Sequence, residues 1–255
     1  MITNTVEKTY PYAARTFFKT DGLGSIELIE TYGDDLAVVN AAKVSYGNQS
    51  TSMGEKEIKL LKFLADNNHT SPFRHCFLKF RIDMPMFVKF QWWKHIIGSN
   101  WGVGDDSNIA WNEISGRYTS KHITEESFYI PKEYRKQSEI NKQASEDADN
   151  EFPHSDYEQS IKKHCEECLS LYNDLVKEGI AKEQARMVLP MNLRTQVIWT
   201  ASLQAVAHFI KLRTDKNAQY EIQLFADEVK WMAETYFPHS MNALLNSNQK
   251  SSETA

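Results

Sequence analysis

The stretch QWWKHIIGSNWGVGDDSNIAWNEISGRYTS, Gln91 to Ser120, decides how the rest of the chain is read. Adjacent tryptophans, Trp92 and Trp93, run into Lys94 and His95. A glycine- and aspartate-rich interruption follows, and then Asn112, Glu113, Ser115, Arg117 and Tyr118 crowd together. A solvated loop with an arginine paired to Glu113 leaves Trp92, Trp93, Trp101 and Trp111 unexplained, because solvated loops seldom carry tryptophan. Arg117 offers a fork of donors suited to phosphate or carboxylate, and Ser115 adds a hydroxyl. Lys94 and His95 supply charge and the indoles supply stacking area. The set suits a flat anion such as a nucleotide. Ser115, His95 and Glu113 also have the composition of a hydrolase triad, but no G-x-S-x-G elbow surrounds Ser115. GVGDD holds only half of a dinucleotide fingerprint and follows no convincing strand.

Upstream, CFLKFRIDM (Cys76 to Met84) alternates Leu78, Phe80 and Ile82 with Lys79, Arg81 and Asp83, the period-two pattern of a half-buried strand. SIELIETYG (Ser25 to Gly33) reads as a second strand. Between them GEKEIKLLKFLADNNH places Ile58, Leu61, Leu64 and Ala65 at helical spacing, with Asn67-Asn68 as the stop. Gln137 to Ser160 is polar and poor in large apolar residues, a mobile insertion or solvated helix-loop rather than core. Helices are expected from Ile161 to Glu178, ending at Gly179, and from Lys182 to Leu189 before Pro190. A further helix runs from about Asn192 to Arg213, with Ile198, Ala201, Ala205, Phe209 and Leu212 on one stripe. The last covers about Ala218 to Phe237, capped by Asp215 or Asn217. Without repeats or a clear linker, the economical fold is one α+β domain over residues 1–240, a mainly antiparallel sheet with packed helices. Residues 241–255 are expected to form a disordered tail.

Hydrophobic residues make up 41% of the 255-residue chain and charged residues 25%, the balance of a globular protein with ample core. A net charge of −5 disfavours a nucleic-acid surface. No apolar run reaches the ~18 residues of a membrane span, and the N-terminus lacks a signal peptide's apolar core. A cytoplasmic location is the expectation. Cys76, Cys165 and Cys168 cannot all pair, which fits a reducing compartment. Cys165 and Cys168 have C-x-x-C spacing, but no second pair completes a zinc site, so no metal is expected.

Near the C-terminus Arg186, Gln204, His208 and Arg213 each have two readings. Gln204 and His208 share a helix face, and His208 is equally a satisfied core histidine. Arg213 suits a helix C-terminus through the macrodipole alone. Arg186, before Val188-Leu189-Pro190, is unremarkable as a solvated arginine.

Taken together, the motifs resemble those of the flavin-dependent thymidylate synthases. NEISGRY (Asn112 to Tyr118) is similar to the family's N-E-x-S-G-R-Y, and KHI (Lys94 to Ile96) stands where R-H-R is usual. NAAKVSY (Asn40 to Tyr46), HTSPFRH (His69 to His75), SFYIP (Ser127 to Pro131), ARMVLPMNLRT (Ala185 to Thr195), HFIKLR and AQYEI continue in the family's order, so the resemblance spans roughly residues 25 to 230. It departs at Lys94 and Ile96, which replace arginines; at the WGVGDDSNIA interruption; at Ser202-Leu203-Gln204, where N-A-R is common; and at Asn217, where a histidine often lies.

The resemblance implies conversion of dUMP to dTMP, with bound FAD and with methylenetetrahydrofolate and NADPH as co-substrates. It implies a homotetramer whose sites draw on several subunits. Gln91, Trp92, Trp93, Lys94, Glu113, Ile114, Ser115, Gly116, Arg117, Arg186 and Arg213 would surround dUMP, with Arg213 catalytic at the uracil. Ser71, Lys94, His95, Ile96, Glu113, Ser202, Leu203, Gln204 and His208 would contact FAD. The rival readings are a flavin-dependent pyrimidine-nucleotide hydroxymethylase on the same scaffold and a nucleotide-binding protein without turnover.

Overall fold

The computed structural model describes residues 22–95, 110–116, 123–142, 144–149 and 151–247. The strand pattern read from Cys76–Met84 is realised in β2 (Phe77–Pro85), where Leu78, Phe80, Ile82 and Met84 are buried. β2 pairs antiparallel on one side with β1 (Ser25–Tyr32) and on the other with β6 (Arg194–Ser202), which carries β3 (Trp111–Glu113) on its far edge. The opposed pairs Leu28–Phe80 and Phe80–Trp199 put one face of this antiparallel sheet into the core. The other face carries Lys79, Arg81, Ile198 and Thr200, and there Arg81 donates to the buried Glu27 carboxylate at 2.6 Å. Between β1 and α1 (Asp35–Lys43), Gly33 has φ +82° and sits against Cys76; a Cβ there would meet Sγ at 2.5 Å.

The helix read from Gly54 onward is α2 (Glu55–Asp66), burying Leu61, Leu64 and Ala65. α3 (Met86–Trp92) follows β2 directly. The expected helix from Asn192 is a strand over its first half. Thr195, Val197, Trp199 and Ala201 point into the core in alternation with half-buried Arg194, Gln196, Ile198 and Thr200. β-branched and aromatic residues favour this pleated setting, and the helical stripe Ile198–Ala201–Ala205 was a coincidence of spacing. The chain turns helical only at Ser202, whose hydroxyl accepts the Ala205 N–H and caps α6 (Leu203–Arg213).

In the polar segment, β4 (Arg135–Gln137) and β5 (Ser145–Asp147) form a hairpin, and α4 (His154–Lys177) begins seven residues before the expected Ile161. Cys165 lies buried in a small second cluster with Phe128 and Leu169, and the Asn192 amide donates to its Sγ. Cys168 lies one turn on, 3.6 Å from His164. The C-x-x-C spacing is thus one helical turn.

α5 (Lys182–Ala185) and a 3-10 turn occupy the expected second helix. α7 (Tyr220–Tyr236) starts later than expected, with Asp215 accepting from the Asn217 N–H in the preceding turn instead of capping the helix. α8 (Pro238–Leu245) buries Met241, Ala243 and Leu244, so the ordered fold extends past residue 240. The Asp35 carboxylate fixes it by accepting the His239 and Ser240 N–H groups, both at 2.9 Å. Residues 248–255 of the expected tail lie outside the described residues. No described helix is long and apolar enough to cross a membrane.

Candidate active site

Two polar junctions form where the end of α3 meets its neighbours. At the first, Lys89, nearly buried on α3, pairs with the Glu113 carboxylate of β3 at 2.8 Å. The Thr195 hydroxyl of β6 donates to the same carboxylate at 2.7 Å. Glu113 and Thr195 share the helix-facing side of the sheet, as the Glu113–Val197 register requires. Trp93 meets Trp111 edge to face at 5.2 Å, which ties the end of α3 to the edge strand.

At the second junction His95, 7% exposed, packs edge-on against Phe209 and accepts a hydrogen bond from Arg213 Nε at 2.7 Å. Burial, reinforced by the Arg213 and His208 charges, pulls the imidazole down to about 4. His95 is therefore neutral near pH 7, with Nε2 as the unprotonated acceptor. Among the described residues nothing bonds to the terminal nitrogens of Arg213. Gln91 donates to the Gln219 side chain, whose own amide donates to Glu221 at 2.9 Å.

α6 links these groups to the remaining candidates. At about 1.5 Å rise per residue, Gln204 and Arg213 lie roughly 13 Å apart along its axis. Gln204 and His208 are both half-buried on one face, and Gln204 Oε1 is a buried acceptor without a partner among the described residues. The 3-10 turn Ser71–His75, which presents an exposed Ser71, packs against the same helix. Beside the Arg213 end, the β4–β5 hairpin docks through Asn141 donating to Asn217 at 3.1 Å and Arg135 lying 4.9 Å from the Tyr220 ring.

Three of the residues expected at the ligands are buried or used within the fold. Trp92, expected at the nucleotide, lies in the core at 1% exposure, stacked on Phe209 at 4.2 Å and edge-on to Trp199. Ser202 is spent as the α6 cap, and Leu203 is fully buried, its N–H donating to Cys76 O. Trp93, Lys94 and Ile114 are exposed, Ser115 is half-buried and Gly116 exposed beyond β3. Arg186 is exposed on a turn packed against α4, and no described bond joins it to the Arg213 end of α6. Ile96 and Arg117 lie outside the described residues. Lys89, Thr195 and Gln219 were missed. A lysine inside the apolar run MFVKFQWW was the one available signal, since lysine is almost never buried unless paired.

Burial pushes the Cys76 thiol up to about 12, so it is no nucleophile. A surface recess of about 340 Å³ between Tyr32, Phe77, Lys79 and Thr200 lies on the sheet face opposite the helices. The set at α3, β3 and α6 combines an oriented guanidinium, a braced carboxylate, neutral imidazole and an uncommitted amide oxygen. It can bind an anionic heteroaromatic beside a second ligand rich in N–H or O–H donors.

The thymidylate synthase complementing protein family model matches residues 27–239, and the chain belongs to that family. It is 39% identical over 203 residues to a flavin-dependent thymidylate synthase of Thermus thermophilus, covering 80% of this chain and 68% of that one. A relative of the same name from Kosmotoga olearia is 36% identical over 223 residues, 88% of this chain and 90% of its own. Among solved structures, a UMP/dUMP methylase PolB from Streptomyces cacaoi bound with 5-Br dUMP superposes with TM-score 0.74 at 26% identity, covering 88% and 95% of the two chains.

Proposed function

We propose that the enzyme makes dTMP from dUMP, taking the one-carbon unit from methylenetetrahydrofolate and reducing equivalents from NADPH through bound FAD. The observation that carries this reading is the bond between His95 and Arg213. It joins the signature segment to the end of α6 and leaves a half-buried guanidinium with its terminal donors uncommitted among the described residues. Family membership and nucleotide-bound structural relatives support the same substrate class.

Gln204 Oε1, a buried acceptor awaiting a donor, fits the N–H and hydroxyl groups of a flavin, and His208 on the same face completes a wall for it. His95, its ring centre 6.0 Å from that of His208, and Ser71, on the turn packed against α6, suit the same ligand, as would Glu113; Lys94, with one point charge and no fork, suits a phosphate at its rim. When bound, the flavin supplies hydride chemistry that no side chain here can perform.

The chain's own task is electrostatic. Arg213, partly desolvated, faces negative charge building on the uracil as C5 attacks the one-carbon unit, and its attraction is strengthened by exclusion of water. Glu113, held by Lys89 and Thr195, keeps a fixed acceptor near the nucleotide; Gln91, Trp93, Ile114, Ser115, Gly116, Arg117 and Arg186 bind around it. Ser115 binds rather than attacks.

A homotetramer belongs to the same proposal. The open sheet face and the exposed Tyr32, Val44 and Tyr46 provide surface for another subunit, and an exposed Arg186 suits a site completed across such a contact. The cellular setting proposed is cytoplasmic.

The test is dUMP turnover and affinity in Arg213→Ala. Turnover should fall by about a hundredfold or more, as for loss of a preorganised charge contact, with flavin occupancy at 450 nm retained. Near-normal turnover would remove Arg213 from the reaction.

A further inference from the structure

His95 has a second duty, in addition to any flavin contact, that follows from its bond to Arg213. A guanidinium on a flexible stem can present either its edge or its terminal donors to a substrate, and substrates select only one arrangement. Here the arrangement is fixed from behind. Nε–H points at His95 Nε2 at 2.7 Å, which fixes the edge of the guanidinium that faces the imidazole and leaves the terminal amino groups without a bond among the described residues. The imidazole is itself held by its backbone N–H, which donates to Trp92 O at 2.9 Å, and by the edge contact with Phe209 at 5.1 Å. Trp92 and Phe209 stack on one another in the core, so the brace is anchored in the least compliant part of the fold.

We propose that His95 is the positioning residue for Arg213: as a neutral acceptor it orients the guanidinium toward the nucleotide base. This rests on the reading above that Arg213 serves the uracil.

Neutrality matters, because a doubly protonated imidazole would offer Arg213 a donor and a like charge in place of an acceptor. The charged or titratable groups bearing on the ring among the described residues are Arg213 and His208, both on α6. Burial opposes its protonation most, and Arg213, with His208 when charged, acts in the same direction. His208, whose ring centre is 6.0 Å away, is itself pushed down by burial and by Lys211 and Arg213, so it adds little charge near neutrality.

The acceptor position suggests a paired test. A glutamine side chain can place its amide oxygen where Nε2 stands, whereas asparagine reaches only the Nδ1 position. The full-length enzyme is prepared as His95→Gln, His95→Asn and Arg213→Ala, and kcat, KM for dUMP and flavin occupancy are measured from pH 5.5 to 8.5. His95→Asn should lose kcat about ten- to a hundredfold, the scale of one charge-assisted hydrogen bond. His95→Gln should recover most of that loss, with both variants equal in flavin occupancy and melting temperature.

Because His95 takes up its proton only near pH 4, it stays neutral throughout this range, so the kcat profiles of the native enzyme and His95→Gln should run parallel from pH 5.5 to 8.5. Equal kcat in the Gln and Asn variants, with Arg213→Ala inactive, would overturn the positioning role while leaving Arg213 in the reaction. Full activity in Arg213→Ala would instead remove the reading on which it rests. A loss that tracks flavin occupancy would mean that His95 acts only at the cofactor, and would also overturn the proposal.

Discussion

Replacing Trp92 by alanine separates a core residue from a ligand residue. The indole is 1% exposed and sits among three aromatic rings, with centres 4.2 Å from Phe209, 5.4 Å from Trp199 and 5.9 Å from Phe225. Its removal leaves a void bounded by the sheet, α6 and α7, none of which can close without moving. Truncation of a buried Trp costs about 3–5 kcal/mol, and the stacked pair with Phe209 places this site toward the upper end. At roughly 2–4 °C per kcal/mol for a domain of this size, melting should fall by about 6–20 °C. The indole N–H has no partner among the described residues, which lowers the cost a little because no described hydrogen bond is broken with the ring. Calorimetry alongside dUMP titration at a temperature where the variant remains folded is the assay. An unchanged melting temperature with dUMP binding abolished would refute the core assignment and return Trp92 to the nucleotide.

Other perturbations probe the polar junctions. Lys89→Met should cost about 1–3 kcal/mol, less than a fully buried pair because Glu113 is partly exposed; Glu113→Gln added to it should restore part of the loss in a double-mutant cycle, and strict additivity would deny the coupling. Asp35→Ala strips two N–H groups at the α8 N-terminus of their acceptor and should cost about 1–3 kcal/mol by urea denaturation, with turnover little changed; an unaltered midpoint would show α8 held by packing alone. Stability should also depend on pH. His95 binds its proton near 6.5 when unfolded but near 4 when folded, so stability present above about 6.5 drains away as pH falls toward about 4. His95→Gln should flatten that slope, and an unchanged slope would assign it to other groups.

Much of the fold was legible because β2 and α2 bury residues at the period of their own secondary structure. Arg194–Ser202 was not. Its alternation of Thr195, Val197 and Trp199 was overlaid by Ile198, Ala201 and Ala205 at helical spacing, and only pairing with β2 decides between the two. That error also hid Thr195, whose direction toward Glu113 exists only in a strand. Collinear motifs located the site's elements, but Trp92 showed that a motif residue can serve the core while its neighbour Trp93 faces outward. The bond from Arg213 to His95 spans 118 residues of sequence and has no local signature.

The central claim is most directly tested by mass spectrometry of the nucleotide after dUMP is incubated with the enzyme, methylenetetrahydrofolate, FAD and NADPH, each omitted in turn. The account predicts dTMP, formed only when the flavin, the folate and the reductant are all present. A hydroxymethylated nucleotide, or unchanged dUMP from flavin-loaded enzyme, would contradict it.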